Sequence, residues 1–136
     1  MIRQLDDRTL VSGQIRPDEI AGLAAQHGVT MLVNNRPDGE EPEQPLAADV
    51  GAAAEAAGIS YRHIPIIRGI GPADVEAMQE ALHQAGDGKL LAFCRSGTRS
   101  ALTLALALRQ EGVSREEVER RIAEAGFDTT PIAHLL

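Results

Sequence analysis

Aromatic side chains are nearly absent: two Phe, one Tyr and no Trp make up 2% of the 136 residues. The core must therefore be assembled from Ala, Leu, Val and Ile, and no set of exposed rings is available to stack on nucleic-acid bases. Positive charge is also in short supply. Thirteen Lys and Arg face twenty Asp and Glu, for a net charge of −7, which argues against nucleic acid and anionic membrane surfaces as partners. No apolar run reaches the length of a membrane span, and Met1-Ile2-Arg3-Gln4-Leu5-Asp6-Asp7 lacks the apolar centre of a signal peptide. Cysteine occurs once, so no internal disulfide is possible. These absences predict a cytoplasmic protein in a reducing compartment. Length and the lack of any linker or repeat predict a single domain over residues 1–136.

What is present centres on the lone cysteine. Cys94 opens the run Cys94-Arg95-Ser96-Gly97-Thr98-Arg99-Ser100, directly after the apolar Leu90-Leu91-Ala92-Phe93 and before the apolar run Ala101 to Leu108. This order reads as strand, tight loop and helix with a thiol at the loop's entrance. Such a loop turns its backbone N–H groups and the positive end of the helix dipole inward, an environment that holds anions and favours a thiolate. A lone cysteine in apolar sequence is usually an inert core residue. Here glycine three positions on and arginine five positions on make a reaction centre the better reading.

Elsewhere short β-like runs alternate with amphipathic ones. Thr9–Ser12, Val29–Val33, Ser60–Pro65 and Leu90–Phe93 read as strands. Pro17–Gln26, Leu46–Ala57, Pro72–Ala85, Ala101–Leu108 and a segment capped at Ser114 with Val118, Ile122 and Ala125 on one face read as helices. The fold class expected is α/β, a mostly parallel central sheet of four to five strands flanked by helices. Ligands in such sheets bind beyond the carboxyl ends of the strands. The loops leaving those ends carry Ser12-Gly13-Gln14, Asn34 to Glu41, Ile66 to Gly71 and the Cys94 run, so Gln14, Arg36, Asp38 and Arg68 are candidate substrate contacts. Arg36, Arg68, Arg95 and Arg99 would form a cationic cluster on an acidic protein.

The Cys94 run resembles the active-site loop of cysteine-dependent phosphatases and of rhodanese-type sulfurtransferases. Phosphatases of the tyrosine and dual-specificity kind space cysteine and arginine as C-x5-R, whereas Cys94 and Arg99 give C-x4-R, the rhodanese count. Phe93 also stands where phosphatases usually carry histidine. Taken with Ser12-Gly13-Gln14, Asn35-Arg36-Pro37-Asp38-Gly39-Glu40 and His63-Ile64-Pro65, nearly the whole chain is similar to the bacterial phosphatase-like domains of beta-lactamase-hydrolase-like proteins. That resemblance implies a dual-specificity-phosphatase-like fold. It also implies that the domain occurs alone or fused to a persulfide dioxygenase of metallo-beta-lactamase type, which would be its partner. The family is described both as phosphatase and as sulfurtransferase.

Chemistry orders the two. A cysteine phosphatase needs a general acid, normally an aspartate on the loop after the third strand. Arg68 stands at that place, and arginine does not release a proton near neutral pH. Asp74 suits the first turn of its helix, leaving Asp38 as a substitute if its loop folds inward. Sulfur transfer needs no acid, because sulfite and thiolates leave readily. The leading expectation is therefore a sulfurtransferase that carries sulfane sulfur from thiosulfate or a persulfide on Cys94, the alternative a phosphatase acting through a Cys94 phosphocysteine. In either case Cys94 is the nucleophile and Arg99 the anion clamp. Arg95, Ser96, Gly97 and Thr98 supply the anion-binding loop, and Ser100 hydrogen-bonds the thiolate.

The remaining motifs have plainer readings. Arg-Pro-Asp-Gly at Arg36 is also a good turn, with the arginine free to pair with Glu40 or Glu41. His63 lacks a ligand-spaced partner, His27, His83 and His134 are isolated, and no metal or cofactor is expected. Glu40-Glu41 with Glu43, and Glu116-Glu117 with Glu119, read as solvated faces.

Overall fold

A computed structural model describes residues 1–136. Five strands, β1 (Ile2–Gln4), β2 (Thr9–Ser12), β3 (Val29–Asn34), β4 (Ser60–His63) and β5 (Lys89–Phe93), form one sheet in the order β1-β2-β5-β3-β4. The pairs β2–β5, β3–β5 and β3–β4 are parallel, and only β1 runs antiparallel, against β2. The sheet is thus mostly parallel and flanked by helices, as the sequence implies. β1 was not legible, because Ile2-Arg3-Gln4 is a short edge strand with two exposed residues.

The helices are α1 (Ile20–His27), α2 (Ala47–Ala56), α3 (Pro72–Ala85), α4 (Thr98–Gln110) and α5 (Arg115–Glu124). Where a single helix was expected from Pro17, a short 3-10 turn over Pro17–Glu19 precedes α1. Pro17 opens that turn, and Glu19 accepts the Arg16 N–H through Oε1 at 2.9 Å. A second 3-10 segment, Thr130–Leu135, closes the chain. No helix is long and apolar enough to cross a membrane.

Strand β5 lies at the centre, and Leu90 through Phe93 are wholly buried. Successive residues face opposite layers. Ala92 packs in the larger core with α3, α4 and α5, and Phe93 in the smaller one with α1 and α2. Burying Phe93 contributes about 2 kcal/mol, and no other aromatic residue is wholly buried. Helix α4 is buried from Ser100 to Leu108, so the element following the cysteine loop is clasped by α3 and α5 and by the sheet.

Register decides where the loops leave. Ser12 pairs with Phe93, Phe93 with Asn34, and Asn34 with His63. Four parallel strands therefore end at one level, and Gly13, Cys94, Asn35 and Ile64 depart from the same edge of the sheet.

Candidate active site

Cys94 leaves β5 fully buried, with its N–H directed at Ser12 O (3.4 Å). The chain then turns back so that the Gly97 N–H donates to Cys94 Sγ at 3.1 Å. Gly97 holds φ +99°, a left-handed conformation, and a Cβ there would meet Phe127 Cζ at 3.2 Å and Val11 Cγ1 at 3.3 Å. Gly97 O then accepts the Ala101 N–H at 2.9 Å, which starts α4. The loop is braced from outside by the β2–α1 connection, where Gln14 N–H donates to Arg95 O at 3.3 Å. Gly13 permits that approach, since a Cβ would lie 3.0 Å from the same carbonyl.

Arg99 projects from the first turn of α4. Its Nη1 donates to Ile66 O at 2.9 Å and to Glu40 Oε2 at 2.8 Å, and its Nη2 donates to Glu40 Oε1 at 2.9 Å. A guanidinium has five N–H donors. Three are used, and the Nε–H and the second Nη2–H remain on a single edge, the spacing that two oxygens of one oxyanion require. The Glu40 hydrogen bond holds Arg99 above the ordinary guanidinium range, burial opposes this, and the charge of nearby Cys94 adds to the rise. On the other side of the pair, the Arg99 hydrogen bond keeps the Glu40 carboxyl below the usual carboxylate range, with Arg36 adding to the effect and burial opposing it.

Arg36 is 2% exposed and is a strut for the site. Its Nε donates to Glu40 Oε1 at 2.8 Å, Nη1 to Gln14 Oε1 at 2.9 Å, and Nη2 to Glu41. His63 Nε2–H donates to its carbonyl at 2.8 Å, so His63 is structural, as its sequence setting suggests. Arg95 is 68% exposed and pairs loosely with Glu41 at 3.4 Å. Arg68 is exposed, has no carboxylate partner, and lines a cleft with Thr98 and Arg99.

Three expectations are corrected by these contacts. Ser100 donates its hydroxyl hydrogen to Asn35 Oδ1 at 2.8 Å, not to the thiolate. Asn35 Nδ2 in turn donates to Ile64 O at 2.9 Å, which ties α4, β3 and the loop after β4 into one unit. Asp38 does not fold inward, because its Oδ1 accepts the Ala47 N–H at the start of α2 (2.8 Å). Glu40 and Glu41 are exposed, as a solvated face would be, but are not free: they bind Arg36, Arg95 and Arg99, so the cationic cluster is partly balanced where it forms. Asp74, as expected, serves its own helix, accepting Gly71 N–H at 2.8 Å. Glu40 and Asn35 were missed as site residues because their partners lie 59 and 65 positions away. No three His, Cys, Asp or Glu side chains are grouped to hold a metal ion.

A buried thiol in a loop closed by an amide and followed by a clamped arginine fits the loop that the sequence resembles, one common to cysteine phosphatases and rhodanese-type sulfurtransferases. Residues 1–112 match the family described as the phosphatase-like domain of beta-lactamase hydrolase-like protein. The chain belongs to this family. The beta-lactamase hydrolase-like proteins of Xylella fastidiosa strain Temecula1 and Agrobacterium fabrum are 39% and 35% identical to this phosphatase-like domain, over 93% and 92% of its length. The chain spans only 30% and 29% of those relatives. Among solved structures, a candidate phosphatase from Neisseria meningitidis is 34% identical and covers 96% of this domain, itself covered to 92%, with a TM-score of 0.79. PTPMT1 has the same fold at 17% identity, covering 99% of the domain and itself covered to 91%, with a TM-score of 0.75. Family and fold thus align this domain with phosphatases. The family description and the Neisseria structure both point to a phosphatase, so the phosphatase alternative is better supported than the sulfurtransferase that leads on sequence alone.

Proposed function

We propose that the chain is a cysteine-dependent phosphomonoesterase. The observation that carries this reading is the two-donor edge left on Arg99 beside the Cys94 loop, since Glu40 and Ile66 occupy the opposite end of the guanidinium. In the proposed reaction the Cys94 thiolate attacks phosphorus, an S–P bond forms, and the P–O bond to the leaving group breaks with its electron pair. The free edge of Arg99 and the amides of Arg95 to Thr98 hold the non-bridging oxygens as charge builds on them. Water then hydrolyses the phosphocysteine and restores the thiolate.

The leaving group receives little help. Asp38 and Asp74 each accept a backbone N–H, and Glu40 is held ionised between two arginines. Esters of weakly basic alcohols, aryl phosphates above all, should therefore react fastest.

Sulfur transfer is the second reading, favoured by two specific features. The C-x4-R spacing closes a smaller ring of amides than C-x5-R, and expulsion of sulfite from thiosulfate requires no acid. In that reading a persulfide forms on Cys94, and a persulfide dioxygenase is the partner that uses the sulfur chemistry. Intact-mass measurement after incubation with p-nitrophenyl phosphate, or with thiosulfate, separates the two. The phosphatase reading requires a phosphoryl adduct and turnover, both lost in Cys94→Ser. A sulfur adduct from thiosulfate with no phosphoryl adduct and no phosphate release overturns it.

A further inference from the structure

A cleft of about 510 Å³ opens beside Arg99, walled by the loop after β4 and by the closing 3-10 segment. Ile66, Ile67, Ile70, Leu102, Ile132 and Leu135 line it, with Arg68 and Arg99 at its charged end and no Asp or Glu among its residues. This is unusual on a chain with twenty acidic residues. Ile67 is 73% exposed and Leu135 53%, two of only four large apolar side chains so exposed. A second cavity of about 590 Å³ shares Ile70 and Leu135 and adds Val75 and Leu106 together with Glu76, Gln79 and Gln110, so an apolar strip bordered by polar groups continues past the cleft.

We propose that this cleft binds the apolar body of an amphiphilic monoester whose anionic head sits at Arg99 and Cys94. The inference rests on the proposed function for the head and specifies the rest of the molecule. Charge complementarity argues for this occupant. Arg68 has no protein carboxylate to pair with and Arg99 keeps two unpaired donors, whereas six apolar side chains line the rest of this cleft. Isolated inorganic anions would leave the cleft empty. A phosphate bearing an alkyl or aryl chain fills both parts, and the two cavities fall in the size range of small-ligand sites.

The test uses binding, so that it does not depend on turnover. Alkyl phosphonates from butyl to octyl, below their micelle concentrations, are titrated calorimetrically into the full-length Cys94→Ser chain. Affinity should rise roughly fourfold per added methylene as apolar surface is buried. In Ile67→Ser/Leu135→Ser, both surface positions, the rise should fall below about twofold per methylene. A flat chain-length series, or an unchanged slope in the double variant, overturns the proposal. So does association with phosphatidylglycerol vesicles through Ile67 and Leu135 when monomeric phosphonates show no slope, for then the patch is a membrane contact. Loss of phosphatase turnover in the wild type with the slope intact would refute the reaction and leave the cleft assignment standing.

Discussion

Glu40→Gln isolates the role of the carboxylate that grips Arg99. The substitution keeps the shape of the side chain and removes its charge. Arg99 keeps its bond to Ile66 O, but an amide offers a single acceptor oxygen and turns an NH2 group toward a guanidinium, so one of the two bonds to residue 40 is lost. Side chains that orient a working group typically affect activity by 10- to 100-fold. A fall of about 30-fold in kcat/KM for p-nitrophenyl phosphate is therefore expected, equivalent to about 2 kcal/mol of transition-state stabilisation. Stability should change far less. Glu40 and Arg99 are 30% and 25% exposed, and partly solvated pairs contribute about 1 kcal/mol or less after screening, so the melting temperature should drop by only a few degrees. The pH dependence fixes the sign. Arg99 lowers the Glu40 carboxyl below its ordinary 4.5. Its contribution is fully present above about pH 4.5 and lost as pH falls through the lower folded-state value. Wild type and variant should differ by a constant amount above pH 4.5 and converge only in stronger acid. If Glu40→Gln instead binds vanadate more tightly and turns over faster, Glu40 competes with the substrate for Arg99 and the orienting role is wrong.

Cys94→Ser should lose all turnover and all adduct formation while unfolding near the wild-type temperature, because serine is nearly isosteric; retained activity in kinetic assays would displace the nucleophile. Gly97→Ala places a Cβ against Phe127 and Val11 at a left-handed φ, so it should destabilise by about 1–3 kcal/mol in denaturant titration and reduce kcat together with it. Ser100→Ala leaves buried Asn35 Oδ1 without its donor, which should cost about 1–3 kcal/mol of stability. Its kcat should fall less than fivefold; a thousandfold loss of kcat with unchanged stability would restore Ser100 to the thiolate.

Local pattern located nearly every element because strand and helix periodicity are short-range properties. Pro72–Ala85 was legible to the residue, with Pro72 at the first turn. Helix α4 extends beyond the readable Ala101–Leu108 at both ends, since Thr98 and Arg99 are recruited by Gly97 and Gln110 is polar. The cysteine loop was visible as a contiguous motif. What surrounds it was not: the Glu40–Arg99 clamp and the Ser100–Asn35 bond depend on which loops the sheet register brings together. A charge in a turn looks the same on paper whether water or a buried arginine receives it. Rankings drawn from the missing acid and the short loop spacing likewise described one loop, whereas the family and fold describe the chain.

The common level at which β2, β5, β3 and β4 end also bears on how the site can change over evolutionary time. Thiol and arginine both belong to the β5–α4 unit, and strand pairing fixes where each neighbouring loop begins. Away from Asn35, Glu40 and Ile66, insertions or substitutions in the Asn35–Leu46 and Ile64–Gly71 connections can therefore reshape what is recognised without altering the spacing of Cys94 and Arg99. Only the groups those loops lend to the clamp, Asn35, Glu40 and the Ile66 carbonyl, tie what is recognised to the geometry of thiol and arginine.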